Sequence, residues 1–241
     1  MVINRTARAL ALLAGLSAAA ASAAHAQEAA PLAIAGVQAS ALGGYGYLGV
    51  IQPFAGAKLG EGWFHRTVAS WLTYRYDATP GGTAQRVHAR APGLDFGLGR
   101  AWSAPDWGVE LSAGVGLRHT RLRPDDPGND ARGTQWAFTP QLIARRQFTP
   151  ALDGDLIASY SAGPNSRFLR ARLGARAGAS GWRLGGEGLL SSGPEYRQVG
   201  VGLFGARFFD SGLALELSAG RLRSREGREE PYVAIGVAKA L

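Results

Sequence analysis

Arg170, Arg172 and Arg176 fall at even spacing along one segment, and Arg183 opens the next. A guanidinium is always charged and presents a rigid fork of donors, so a row of them either recognises something or must be neutralised. Two readings follow. The row can be a selectivity lining for anionic or hydroxyl-rich solutes. It can equally be compensated by Glu187, Glu216 and Asp155 in a filled interior, and this second reading is favoured. Asp125, Asp126 and Asp130 cluster in one loop and carry oxygens of the kind Ca²⁺ takes. Their spacing is not that of an EF-hand, and Asp, Pro, Gly and Asn are ordinary turn residues, so an Asp–Arg network with Arg121, Arg123 and Arg132 is expected and no metal. His119 is a candidate base for acyl transfer, but no nucleophile is placed beside it, so no catalytic residue is expected. The chain has no Cys, which removes thiolate chemistry and disulfide staples. It also has no HExxH and no phosphate-cradling loop, and its Gly-x-Gly pairs at 44–46 and 97–99 lie in strand-like runs, so no cofactor is expected.

The elements that must position these residues read as strands. From Trp107 to Arg118 one parity is apolar (Val109, Leu111, Ala113, Val115, Leu117) and the other polar or small (Glu110, Ser112, Gly114, Gly116, Arg118). A half-buried strand of a soluble protein runs about five or six residues. This run is near the nine to eleven or so that a tilted strand needs to cross a bilayer. Phe168 to Gly178 behaves alike, with Leu169, Ala171, Leu173, Ala175 and Ala177 opposite the arginines. Leu213 to Arg221 repeats it. Large apolar side chains opposite a charged parity fit a barrel with lipid outside and water or packed polar groups inside. Many of the 35 Gly fall at the small parity, as a narrow interior requires.

The fold class expected is all-β, an antiparallel up-and-down transmembrane β-barrel of twelve strands, or ten if the breaks at Pro92 and Gly163 are misplaced. Pro92-Gly93 predicts a bulge or a strand end, because Pro removes a ladder donor. Thr134 to Phe148 reads as one strand. Leu42 to Phe54 is apolar on both parities and cannot be oriented, and Phe64, Val68, Leu72, Tyr74 and Tyr76 share one parity of the next strand. Short connections near 60, 104, 151, 180 and 211 alternate with longer or more charged ones near 81, 127, 164, 193 and 226, as periplasmic turns alternate with external loops.

Arg5 and Arg8, the apolar run Ala9 to Ala21 and the Ala24-His25-Ala26 pattern predict a cleaved signal peptide over 1–26, leaving one barrel domain over 27–241. The net charge of +8 falls to about +6 without Arg5 and Arg8. An exported basic chain meets anionic lipid head groups or polyanionic solutes rather than nucleic acid.

The loop Arg123-Pro124-Asp125-Asp126-Pro127-Gly128-Asn129-Asp130-Ala131-Arg132-Gly133 resembles a Pro/Asp-rich loop of the BcsS-type cellulose biosynthesis proteins of proteobacteria. So do Gly62-Trp63 with Arg66, the Tyr74-x-Tyr76 ending, and Gly193-Pro194-Glu195. The resemblance runs in order over roughly residues 42 to 240. It implies an outer-membrane β-barrel accessory of cellulose (exopolysaccharide) synthesis or export, not an enzyme. Its implied partners are outer-membrane lipids and lipopolysaccharide, and cellulose or other cellulose-synthesis components. Arg170, Arg172, Arg176, Arg183 and Glu187 are then the candidates to line the lumen and touch glycan. The alternatives are a small-solute porin and a lipid hydrolase at the rim using His119.

Overall fold

The computed structural model describes residues 30–41, 43–79, 84–177, 181–194, 196–225 and 227–241. The leader expected over 1–26 and Glu195 lie outside them. The strands are β1 (Leu32–Ser40), β2 (Gly43–Pro53), β3 (Gly62–Ala78), β4 (Gln85–Ala104), β5 (Trp107–Arg123), β6 (Gly133–Phe138), β7 (Gln141–Gln147), β8 (Leu152–Ser161), β9 (Ser166–Arg176), β10 (Trp182–Gly193), β11 (Tyr196–Phe208), β12 (Leu213–Ser224) and β13 (Glu229–Ala240). From β2 to β5 and from β7 to β13 consecutive strands pair antiparallel, β13 pairs with β1, and β1 lies against β2. β6 and β7 both pair with β5 in one register, so they are two halves of a single stave. The described residues form a closed barrel of twelve staves with no helix. Closure leaves no edge strand and pairs the backbone between staves, the condition for crossing lipid with strands.

The outer face shows why this chain needs lipid. Leu94, Val115, Leu173, Val201, Leu203 and Leu217 are each at least half exposed. A soluble monomer rarely leaves so continuous an apolar surface uncovered. Aromatic residues bound it. At the end where β1 starts and β13 stops, the terminus-bearing end of the described barrel, Arg100 lies over Trp63 and Trp102, at 5.6 and 5.4 Å. Arg207 there lies over Trp182 and Phe209, at 5.4 and 5.5 Å. Trp71 and Trp136 stand toward the other end. β5 has the alternation read from its sequence: Leu111, Val115 and Leu117 point out, while Gly114 and Gly116 are buried.

Three details depart from the sequence reading. β4 runs through Pro92-Gly93 in constant register with β3, with no bulge. Its ladder to β5 lacks partners only at Ala91 and Pro92, so the missing N–H falls in a gap that the rest of the strand spans. The stave expected as one strand from Thr134 to Phe148 breaks at Thr139-Pro140. β5 also extends to Arg123, so the Pro/Asp loop begins later than expected, at Pro124.

The interior has two characters. β1 to β3, which the sequence left unoriented in part, turn apolar and aromatic side chains inward. Leu32, Ile34, Tyr47, Ile51 and Phe64 form one buried cluster, joined by Leu59 from the β2–β3 turn and Phe208 from β11. This cluster fills the terminus-bearing end. The opposite arc, β8 to β13, turns charge inward.

Candidate functional site

Three interior regions carry the chemistry: an ion network, a bridging arginine above the apolar cluster, and an open vestibule. The network begins with a register coincidence. Asp155, Arg172 and Glu187 sit side by side on β8, β9 and β10, and the same row continues through Gly202, Gly220 and Tyr232. Arg172 Nε donates to Glu187 Oε2 at 2.7 Å. Its other nitrogens reach Glu216, two staves beyond Glu187, at 2.6 and 2.5 Å. Tyr232 donates its hydroxyl to Glu187 Oε1 at 2.6 Å. The two glycines make this possible: a Cβ at Gly202 would overlap the Tyr232 hydroxyl, and one at Gly220 would overlap its ring. The tyrosine lies across two bare backbones to reach its carboxylate.

One row nearer the termini, Arg183 pairs with Asp153 at 2.5 Å and Asp155 at 2.7 Å. Arg176 pairs with Asp153 at 2.8 Å. Phe204 lies flat across Gly174 and Gly185, with the Arg172 and Arg183 guanidiniums 4.5 and 4.8 Å from its ring centre. Among the described residues Arg170 pairs with Glu216 at 3.5 Å, and its Nε and Nη2 have no hydrogen-bond partner. Four guanidiniums thus face four carboxylates. Arg172 and Glu187 have side chains 0% and 1% exposed, so protein atoms fill this part of the interior.

A second cluster stands on the far wall. Arg66 of β3 pairs with Asp95 at 2.5 Å, donates to Ser112 Oγ at 3.1 Å, and reaches the Thr139 carbonyl at 3.2 Å. The Thr139 hydroxyl in turn donates to Asp95. The break at Thr139-Pro140 explains itself here, since it frees a carbonyl and a hydroxyl to complete the arginine's shell.

Above these groups opens a cavity of about 200 Å³. Its lining reaches the loop-bearing end through Gly43, Thr73 and Gln198, and its floor is Ile34, Ile51, Arg66 and Asp95. Tyrosines form one wall: Tyr45 stacks on Tyr47 at 6.4 Å, and Tyr74 packs against Tyr76 and Tyr196 at 6.0 and 5.1 Å. Ser159, Ser161, Gln141 and Gln198 bring hydroxyls and amides. Arg118 lies close to Tyr45 and Tyr196, with no carboxylate paired to it among the described residues.

The Pro/Asp loop closes over the rim. Asp126 accepts the Tyr76 hydroxyl at 2.8 Å, and Asn129 donates to the same oxygen at 2.6 Å. Asp125 is held by Arg132 through two 2.8 Å bonds. The expected Asp–Arg network therefore reduces to one pair, because Arg121 and Arg123 point outward from β5. Pro124 follows a cis peptide bond, Pro127 stands in the loop, and Gly133 takes positive φ as β6 begins. Gly193 ends β10 and β11 starts at Tyr196, so the connection near 193 is short. No group of three metal-ligating side chains occurs among the described residues. His119 contacts Thr134 Oγ1 at 2.7 Å on the outer face.

Sequence reasoning placed Arg170, Arg172, Arg176, Arg183 and Glu187 as lumen candidates, and the fold brings them together. It missed Asp153, assigned to a turn, as well as Arg66, Asp95, Phe204, Tyr232 and the tyrosine wall. A lone charge in an otherwise apolar or glycine parity, as at Arg66 and Asp95, was the signal available.

The fold is similar to that of a KdgM porin, at 12% identity over 87% of this chain and 99% of that one, with TM-score 0.53. A KdgM porin in complex with disordered oligogalacturonate matches at 12% identity over 88% and 99%, TM-score 0.52. LpxR from Salmonella typhimurium matches at 12% over 88% and 100%, TM-score 0.46. Nothing among curated proteins matches. The family model described as cellulose biosynthesis protein BcsS matches residues 32–241, so this chain belongs to the BcsS family of cellulose biosynthesis proteins.

Proposed function

We propose that this barrel serves cellulose synthesis as a closed, non-enzymatic outer-membrane accessory, which holds a glucan chain end in its vestibule and does not conduct it. The termini and short turns face the periplasm and the Pro/Asp loop faces outside, as in barrels of this kind. One observation carries the reading: a tyrosine-walled vestibule ends on a floor of packed apolar residues and neutralised ion pairs. Tyrosine faces stack on the apolar faces of sugar rings, and hydroxyls, amides and Arg118 match sugar hydroxyls. The vestibule is smaller than the roughly 300–1,000 Å³ of drug-sized pockets, so it suits the end of a chain rather than a length of it.

Titrating the purified barrel with cellohexaose, followed by calorimetry, tests this. Saturable binding that oligogalacturonate does not match is expected. Absence of any saturable cellohexaose binding would overturn it. A second reading, an acidic-sugar site, draws on the unpaired Arg118 and on the oligogalacturonate named for a KdgM porin. Tighter binding of oligogalacturonate in the same titration would select it.

A further inference from the structure

On the outer face of β3 to β5 the register stacks side chains into rows, and two of these rows are cationic. Arg75, His88 and Arg123 stand side by side in one, and Thr73, Arg90 and Arg121 in the next. All four arginines are exposed. None has a carboxylate within ion-pair distance among the described residues. Asp77, on the outward parity of β3 just above them, is taken by Arg86 at 2.8 and 3.1 Å and by Arg228 at 3.0 Å. Like charges set opposite one another on paired strands repel, so this arrangement is unfavourable unless an anion joins it.

The rows below run straight into the lipid-facing band. Trp71 pairs with Pro92, and His119 beside it pairs with Thr134. Then come Ala69, Leu94, Leu117 and Trp136, followed by Thr67, Phe96, Val115 and Phe138. An acyl chain lying on Phe96, Leu94 and Leu117 brings its head group level with Arg90 and Arg121. The arginines at the opposite end are differently placed: Arg100 and Arg207 lie over aromatic rings, and Arg146 pairs with Asp106 at 2.9 Å. Arg197 of β11 and Arg223 of β12 are also exposed near the loop-bearing end without an ion pair among the described residues, but Arg90 and Arg121 face each other directly across the ladder.

We infer that the outer face of β3 to β5 is a binding site for a phosphorylated, multiply acylated saccharolipid, the chemistry of the outer leaflet, with Arg75, Arg90, Arg121 and Arg123 clamping its phosphates. Arginine forks match phosphate oxygens in pairs, and the aliphatic rows below take the chains. The site is independent of what fills the vestibule, because its side chains point the other way.

The test is lipid retention by the purified full chain in detergent, read by native mass spectrometry with bisphosphorylated lipid A and with fully dephosphorylated lipid A. Retention of the phosphorylated form alone is expected. The R90Q/R121Q variant should lower that retention at least tenfold, while R146Q, at the opposite end of the barrel, leaves it unchanged. These side chains face outward, so folding should be preserved; if R90Q/R121Q yields no folded barrel, R75Q/R123Q serves in its place. Equal retention of both lipids, an unchanged clamp variant, or release by equimolar inorganic phosphate would each overturn the inference.

Discussion

Arg172→Ala is expected to destabilise the barrel by about 3–5 kcal/mol, the cost of leaving buried charge without its partner. Among the described residues Arg172 is the one cation paired with Glu187, which would then keep the Tyr232 hydroxyl as its hydrogen-bond donor. Glu216 would still have Arg170, but at 3.5 Å. Phe204 would also lose one of its two guanidinium contacts. A plain cavity and an orphaned charge predict different second-site behaviour. If the cost is the stranded carboxylate, R172A/E187Q should be clearly more stable than R172A alone, though it refills no volume. The check is the denaturant midpoint of the folded barrel in detergent. An R172A midpoint equal to that of the unsubstituted protein would remove the network from the account.

The second large effect lies in the vestibule. Replacing Tyr45 and Tyr196 together by Ala should weaken cellohexaose binding by about thirtyfold. An aromatic contact contributes about 0.5–1.5 kcal/mol beyond its buried area, and 1.4 kcal/mol is about tenfold in affinity. Both rings line the cavity beside Arg118, and neither belongs to the ion network. Y45F/Y196F keeps the stacking faces and should stay within about threefold of the unsubstituted chain, as loss of two partly solvated hydroxyls implies. Equal losses in the Ala and Phe pairs would mean that hydroxyls, not ring faces, do the recognising.

How much of this could be read from the chain follows from which interactions are local. Strict alternation in β5, β9 and β12 exposes the barrel, because period two assigns every side chain a face and one face is apolar over a bilayer's width. Glu187 opposite Arg172 is also a neighbouring-stave relation, reachable once strands are placed. Glu216 reaching Arg172 from β12, and Tyr232 reaching Glu187 over Gly202 and Gly220, depend on side-chain length across bare staves. Periodicity does not encode that. The arc from β1 to β3 resisted orientation because both parities are apolar: lipid takes Leu48 and Val50, and the plug takes Tyr47 and Ile51. Pro92 suggested a break that the ladder absorbs, while the real break at Thr139-Pro140 went unread. Pro140 has no N–H for the ladder, and the Thr139 carbonyl accepts from the distant Arg66 instead.

The proposed function requires an interior sealed between the vestibule and the opposite end by the apolar cluster around Phe64 and the ion pairs around Arg172. Planar-bilayer recording of the purified, unsubstituted barrel tests it most directly. Insertion should give no steady ionic conductance, whatever the sign of the applied potential. A stable open-level current from the unsubstituted barrel would contradict the account and make this chain a pore.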